Sequence, residues 1–229
     1  MYSLVLNTNS NDIDIVNKSN KDIYTHNNQP LSYENMIIKK PWGYEFIFYN
    51  HSLISGWVLY MNTSCKTSLH FHKDKDTPMI ILKGHVILHT IDSKHYLYAG
   101  DSIFIGKGKI HSIEAINDSI ICEFEIHPNK TDLYRINDYY GREKEGYEGI
   151  NKMVKVDNTY NYFNLNNNAK YIHNNFSLFL NQLYTYDNKQ YKTMYLLLDR
   201  CAPNNIIGTL IDVCPDLLTT KFLQITVLI

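Results

Sequence analysis

The chain has 229 residues, 44% hydrophobic and 20% charged, a composition typical of a globular protein with one good-sized domain. Its 22 basic and 23 acidic residues nearly cancel, which disfavours nucleic acid and anionic membranes as partners. No apolar stretch approaches the roughly 18 residues of a membrane span, and the start lacks the basic region of a signal peptide. Cys65, Cys122, Cys201 and Cys214 form no C-x-x-C pair, so we expect free thiols in a soluble, cytoplasmic protein.

The first 35 residues are polar and rich in asparagine. We expect residues 1–35 to form a flexible N-terminal arm, with a short strand or helix over Ser3–Leu6 as the alternative.

From residue 40 to residue 128 the pattern changes to short apolar runs, rich in β-branched and aromatic residues and separated by turn residues. The runs are YEFIFY (44–49), GWVLYMN (56–62), KTSLHFH (66–72), PMIILKG (78–84), HVILHTI (85–91), HYLYA (95–99), SIFIG (102–106), IHSIEAI (110–116) and SIICEFEI (119–126). They recur about every ten residues without a helix-length amphipathic pattern between them. This pattern predicts an all-β domain over residues 36–150, built as an antiparallel barrel or a two-sheet sandwich.

The rest of the chain has a weaker pattern. Residues 129–150 lose the strand pattern and predict a short helical or irregular segment after the barrel. Residues 151–229 form a C-terminal extension, in which an asparagine-rich linker (157–175) precedes three strand-like runs, MYLLLD, NIIGTLIDV and FLQITVLI. The extension either packs on the barrel or forms the opening part of a second, incomplete barrel, and the sequence leaves both open.

Three histidines lie in two of the predicted strands. His70 and His72 are two positions apart, so in a strand they share one face at a separation of about 7 Å. They can converge on one cation if a third ligand arrives from a neighbouring strand. His111 follows Gly106 and Gly108, which allow a tight turn with positive φ that brings His111 back toward the barrel interior. Such histidines are more often ordinary surface or core residues, and only their combination indicates a metal site.

These residues resemble the motifs of a known family. The stretch from His70 to Gly84 resembles the first cupin motif, and the stretch from Gly100 to His111 resembles the second. The resemblance implies a cupin fold, a small jelly-roll-type β-barrel. It also implies that the three histidines are ligands of a divalent metal inside the barrel.

A narrower similarity is to the type II mannose-6-phosphate isomerases, including the isomerase domain of the bifunctional mannose-6-phosphate isomerase/mannose-1-phosphate guanylyltransferases. KKPWGYEF (39–46) resembles their Pro-Trp-Gly segment, SLHFH stands where they have Ser-Leu-Gln-x-His, and DLYRINDYYGR (132–142) resembles their closing segment. The similarity covers about residues 39–148. It implies aldose–ketose isomerisation of a sugar phosphate in activated-mannose, nucleotide-sugar or surface-glycan synthesis.

One position departs from this family. Thr77 stands where the family has a glutamate ligand, and a neutral hydroxyl is a poor ligand for a divalent ion. The adjacent Asp76 would point to the other face of a strand unless a bulge or loop turned it inward. Three neutral histidines with open positions still suit zinc acting as a Lewis acid, so the implied cofactor is a divalent metal, zinc.

The implied reaction moves a proton between two carbons through an enediol, and it needs three groups. The metal would stabilise the developing oxyanion. A cationic clamp would hold the phosphate, for which the candidates are Arg135 and Arg142, helped by Lys107 or Lys109. A base must reach the carbon-bound proton, for which the candidates are Glu123 and Glu125, with Asp138 and His85 as weaker options.

Each of these assignments has an alternative. Arg135 and Arg142 could pair with Asp132, Asp138 or Glu143 and simply dock their segment on the barrel. Glu123 and Glu125 could form a solvated strand face. The whole protein could be a cupin that binds a sugar or nucleotide sugar without turnover, or a related sugar epimerase, since fold alone does not settle the chemistry. We expect a small-molecule sugar phosphate as ligand and a homodimer as the assembly.

Overall fold

In the computed structural model, which describes residues 2–19, 29–182, 191–198, 210–211 and 222–228, the chain up to residue 155 is built almost entirely of strands. Its elements in chain order are β1 (Ser3–Leu6), α1 (Ser10–Lys18), β2 (Met36–Lys40), β3 (Gly43–Asn50), β4 (Ile54–Met61), β5 (Leu69–Phe71), β6 (Thr77–Lys83), β7 (His85–Thr90), β8 (Lys94–Tyr98), β9 (Ser102–Ile105), β10 (His111–Ala115), β11 (Ser119–Ile126), β12 (Tyr134–Asn137) and β13 (Met153–Lys155).

The strands form two sheets that face each other across a shared core. The larger sheet has the order β1-β9-β6-β11-β4-β3-β2-β13, and the smaller has the order β12-β5-β10-β7-β8. Within them, the eight consecutive strands β4 to β11 give β9-β6-β11-β4 in one sheet and β5-β10-β7-β8 in the other. This double Greek key is the jelly-roll arrangement that cupins use. The predicted all-β, jelly-roll-type barrel is therefore confirmed, and each of the nine predicted apolar runs contains a strand.

The core between the sheets follows from strand periodicity. Along β11, Ile121 points inward and packs with Ile81 and Leu59 of the same sheet and with Leu88 of the smaller sheet. Its neighbour Cys122 points outward into a second buried cluster. Because side chains alternate along a strand, the inward face of β11 continues from Ile121 to the two glutamates that follow at alternate positions.

A third sheet covers the outer face of the larger sheet. Its strands are β14 (Lys170–Ile172), β15 (Phe176–Leu180), β16 (Tyr191–Leu197), β17 (Leu210–Ile211) and β18 (Phe222–Leu228), in the order β14-β15-β18-β16-β17. Phe176, Leu178 and Ile225 of this sheet share one buried cluster with Phe48 and Phe124 of the barrel. Of the two arrangements left open for the C-terminal extension, the described strands correspond to packing on the barrel.

Over Ser3–Leu6 the structure has the short strand that was the alternative to a flexible N-terminal arm, and over α1 the expectation of a flexible arm is wrong. β1 pairs in parallel with β9, and α1 begins at a capping box in which Asn9 and Asp12 exchange hydrogen bonds. The fully buried carboxylate of Asp12 also binds the ammonium of Lys109 at 2.8 Å and the backbone N–H of Ile110 at 3.1 Å. This long-range ion pair ties the arm to the barrel.

Two further boundaries need correction. The segment after the barrel is neither helical nor irregular over β12, because Tyr134 stacks on Phe71 at 4.9 Å and β12 pairs with β5. The larger sheet also extends past residue 150, since β13 pairs with β2. A single 3-10 turn, Ile150–Lys152, precedes β13.

Two expectations from composition meet the structure only in part. Cys65 and Cys122 are free thiols, whereas Cys201 and Cys214 lie outside the described residues. Among the described helical residues, none form a segment that is long and apolar enough to cross a membrane.

We predict that Asp12→Ala lowers the free energy of unfolding by about 3 kcal/mol, because it leaves the buried Lys109 ammonium without its close partner. The more distant Asp92, 3.8 Å from the same ammonium, limits the loss to the lower end of the range for broken buried pairs. Urea denaturation measures the change. The matched control is Asp14→Ala on the exposed side of the same helix, which should change stability by less than about 0.5 kcal/mol. Equal effects of the two substitutions would contradict the anchoring role of Asp12.

Candidate active site

A cavity of about 70 Å³ lies inside the barrel between the two sheets. The larger sheet contributes Glu123 and Glu125 of β11 to its wall, and the smaller sheet contributes His70 of β5. An outer groove of about 700 Å³ adjoins this cavity and shares Lys40 and Arg142 with it. Polar and charged side chains therefore fill the end of the barrel that the apolar core leaves free.

Strand register brings the three predicted histidines together. His70 and His111 are direct partners in the antiparallel pair β5–β10, and their ring centres lie 4.5 Å apart. The ring centre of His72 lies 5.1 Å from that of His70 and 6.1 Å from that of His111. Gly108 has the predicted positive φ, +74°, whereas Gly106 does not.

All three imidazoles make the same kind of backbone contact. The Nδ1 atoms of His70 and His111 lie 2.8 and 2.9 Å from the carbonyl oxygens of Ser68 and Lys109, and Nδ1 of His72 contacts the carbonyl oxygen of Asp132. A carbonyl only accepts, so each Nδ1 carries the proton and each Nε2 keeps a lone pair. Burial lowers the pKa of all three, to about 4 for His111, so the rings are neutral at pH 7.

These donors suit a divalent metal chemically, and Nε2 of His111 is buried without a hydrogen-bond partner. Their arrangement does not suit it, because no three His, Cys, Asp or Glu side chains within the described ranges are placed to hold a metal ion. Thr77 is buried at the start of β6 and does not line the cavity. Asp76 accepts a hydrogen bond from the backbone N–H of Lys107 at 2.9 Å, so it does not supply the missing carboxylate. As placed in the described residues, these side chains do not form a metal-ligand group, and the expected zinc stays a prediction.

The cavity contains cations of its own. The ammonium groups of Lys75 and Lys130 both bind Oε1 of Glu125, the latter at 2.9 Å, while Ser55 donates to Oε2 at 3.0 Å. Burial opposes ionisation of Glu125, but Lys130 and Lys75 outweigh it and lower the pKa of this carboxyl to about 2. Glu125 is therefore a permanent anion that fixes two ammonium groups in the cavity.

Glu123 has the opposite character. It lies two residues away on the same inward face, yet within the part of the chain that the structure describes it makes no hydrogen bond or ion pair. Burial and the negative charge of Glu125 raise the pKa of Glu123 to about 7, against the opposing effect of Lys130 and Lys75. A partly buried carboxyl that titrates near neutral pH in a cavity is a candidate acid–base group.

The two arginines line the cavity but are already engaged. Arg142 binds Asp138 through Nε at 2.9 Å and through a terminal nitrogen at 2.7 Å, and it binds Glu148 at 2.5 Å. Arg135 donates to Glu148 at 3.2 Å and to two backbone carbonyls at 2.6 Å each. This geometry corresponds to the ion-pair alternative for Arg135 and Arg142, with Glu148 as an additional partner, and not to a free phosphate clamp.

The structure places the remaining candidates outside the cavity. Lys109 is committed to Asp12 because that buried carboxylate needs a counter-charge, and Lys107 is exposed on the loop before β10. The expectation that either lysine binds substrate in the cavity is therefore corrected. His85 stacks on Tyr98 with ring centres 4.2 Å apart, away from the cavity.

Several cavity residues were missed from the sequence. Lys75 and Lys130 lie in loops, where no periodicity shows which way a side chain points. Glu45 carried a usable signal: it alternates with Ile47 of the inner core along β3, and a charge on a core-facing position indicates a polar site. In the structure Glu45 accepts a hydrogen bond from the Tyr147 hydroxyl and lies 3.1 Å from the Lys40 ammonium.

No protein-family model matches the chain, and no curated protein matches it. Among solved structures it is similar to KdgF from Halomonas sp. (14% identity, 44% of this chain and 87% of that chain, TM-score 0.37) and to an RmlC-like cupin from Shewanella frigidimarina (13%, 44% and 92%, 0.40). It is also similar to the polyketide cyclase RemF from Streptomyces resistomycificus (12%, 48% and 77%, 0.39). At these TM-scores the similarities carry no argument about function, and the jelly-roll order rests on the paired strands themselves.

We predict that Glu123→Gln changes how stability depends on pH. The pKa of Glu123 is about 7 in the folded chain against 4.5 for an unperturbed glutamate, so the folded state holds the extra proton between these values. Stability contributed by this group is therefore full below about pH 4.5 and is lost as the pH rises through 7. The glutamine variant should gain up to about 3 kcal/mol on the wild type between pH 4.5 and 8.

Denaturant unfolding at several pH values measures this difference. The control is Asp14→Asn on the exposed side of α1, which should leave the pH dependence between 4.5 and 8 close to that of the wild type. Parallel pH curves for the wild type and Glu123→Gln would contradict the raised pKa.

Proposed function

We propose that this protein is a cupin-type enzyme that isomerises a sugar or sugar phosphate by moving a proton between adjacent carbons, with mannose 6-phosphate as the first candidate substrate. The observation that carries the proposal is Glu123, a carboxyl that makes no hydrogen bond or ion pair within the described residues and shares its cavity with the neutral imidazoles of His70 and His72 and with two ammonium groups. The motif resemblance at residues 39–46 and 132–142 supports the choice of substrate class.

The pKa of Glu123 supports the chemistry. An aldose–ketose isomerase needs one group that takes a proton from carbon and returns it to the neighbouring carbon. A group with a pKa of about 7 populates both states near neutral pH, which is the optimum for such a shuttle. Glu125 is unsuited to this role because its pKa of about 2 makes it a weak base that is already paired.

The imidazoles would orient the hydroxyl groups of the sugar. With each Nδ1 donating to a backbone carbonyl, the Nε2 atoms of His70, His72 and His111 are acceptors of fixed direction. Sugar hydroxyl groups are donors that match them. We therefore assign these three residues to holding the hydroxyl groups at the reacting end of the sugar.

The sizes of the cavity and of the outer groove indicate which part of the substrate each would hold. A space of about 70 Å³ accepts only part of a hexose, whereas the outer groove of about 700 Å³ lies in the range of small-molecule sites. Lys39 and Lys152 line this groove. Since Arg135 and Arg142 are engaged by carboxylates, we assign the phosphate to the groove and its lysines.

The groove also favours a second candidate, a cupin that binds or epimerises a nucleotide sugar. Its volume is larger than one phosphate group requires, and it shares Lys40 and Arg142 with the cavity. Binding without turnover would identify a binding protein, and inversion at one carbon without movement of the carbonyl would identify an epimerase.

We predict that the wild type incorporates solvent deuterium at carbon from D₂O into its substrate and that Glu123→Gln lowers this rate about 10²- to 10⁴-fold. Proton NMR on a panel of sugars, sugar phosphates and nucleotide sugars measures the exchange, and a coupled assay with mannose 6-phosphate measures turnover. For the wild type, kcat/KM should rise through about pH 7 as Glu123 ionises.

Glu114→Gln on the outer face of β10 serves as the control and should keep the wild-type rate. Wild-type exchange in Glu123→Gln would exclude Glu123 as the base. Tight binding of a sugar with no deuterium incorporation for any compound would favour the binding protein.

A further inference from the structure

The proposed reaction places a negative charge on the substrate inside a small buried cavity. Removal of the carbon-bound proton leaves its electron pair in a new carbon–carbon double bond and moves the carbonyl pair onto oxygen. Such an oxyanion in a low-dielectric site needs a nearby positive charge. The motif resemblance would assign that charge to a divalent metal, but the donors as placed do not fit one.

The cavity contains a positive charge that belongs to the chain. Lys75 and Lys130 are both held on Oε1 of Glu125, so the cluster of two ammonium groups and one carboxylate carries a net charge of +1. The side chain of Lys75 is only 3% exposed and that of Lys130 15%. All three residues line the same cavity as Glu123.

We propose that Lys75, with Lys130 held on the same carboxylate, is the catalytic cation of this site and replaces the divalent metal of the family that the motifs resemble. This inference rests on the proposed function for its reaction, and it makes a separate statement about the metal.

The charges balance through the reaction. Before proton transfer, ionised Glu123 and the +1 cluster sum to zero. After transfer, Glu123 is neutral and the substrate oxyanion faces the same +1 cluster. Return of the proton to the neighbouring carbon, with passage of the hydroxyl proton to the first oxygen, restores the starting state. No oxidant, reductant or external acid is consumed.

Two features of the loop before β6 support Lys75 over its neighbour. The sequence HKDKDT (72–77) offers two lysines, and the structure directs them to opposite sides. Lys73 donates to the carbonyl oxygen of Ser19 and lies 4.6 Å from the ring centre of Tyr134, outside the barrel. Lys75 points into the cavity, close enough to act electrostatically on His70 and His72, and the same field opposes binding of a divalent cation between them.

We predict that Lys75→Met lowers the deuterium-exchange rate of the wild type by about a hundredfold or more, whereas Lys75→Arg, which keeps the charge, recovers part of it. Lys73→Met is the matched control, because it removes a lysine of the same loop that lies outside the cavity, and its rate should equal that of the wild type. Circular dichroism and thermal unfolding establish that each variant is folded. A wild-type rate in folded Lys75→Met would overturn the assignment.

A second measurement does not depend on the substrate. Zinc titration of the wild type by calorimetry, with metal analysis of the purified protein, should show no stoichiometric metal, and EDTA should leave the exchange rate unchanged. Stoichiometric zinc that disappears in His111→Ala, or activity lost to EDTA and restored by zinc, would overturn the proposal. If no compound undergoes exchange, the proposed function fails, while the zinc titration still decides whether this cavity binds metal.

Discussion

The site depends on the pairing of charges that the barrel has removed from water. An unpaired ammonium or carboxylate in such a place costs several kcal/mol, so each must find a partner or lose its charge. Glu125 is the buried counter-charge of Lys75 and Lys130, and Glu148 is that of Lys40 and the two arginines. These cations lower the pKa of each carboxyl to about 2, against the effect of burial. Because these two glutamates are fixed anions, the cations around them have fixed positions.

The layered fold keeps these partners in place. β11 is buried on both faces, since Ile121 packs between the barrel sheets and Phe124 packs beneath the third sheet. Gly56, on the neighbouring β4, leaves room for the ring of Phe48, which a Cβ would approach to 2.6 Å. A strand held in this way cannot slip its register, so its two glutamates remain directed into the cavity. The third sheet therefore acts on the site through the strand that it covers.

The sequence predicts the features that follow from the alternation of side chains along a strand. Alternation of apolar residues identified the nine barrel strands, and the spacing of His70 and His72 placed both on one face. Contacts between distant segments were not predictable. Asp12 is buried because it pairs with Lys109, which lies 97 positions away in the sequence, and the polar composition of the N-terminal segment does not indicate this contact. Loops have no period, so nothing in the sequence distinguished Lys75, inside the barrel, from Lys73 outside it. The motif resemblance assigns a role to the histidines and none to these lysines.

Glu123 and Glu125 show that local sequence does not determine the pKa of a side chain. They are the same residue, two positions apart, on the same face of one strand, and any pattern-based method treats them alike. Their pKa values, about 7 and about 2, differ because burial acts on both while the ammonium groups contact only Glu125. The negative charge that these ammonium groups stabilise on Glu125 is itself one cause of the raised pKa of Glu123. The fixed anion thus creates the titrating acid beside it, and a single ion-pair cluster accounts for both roles.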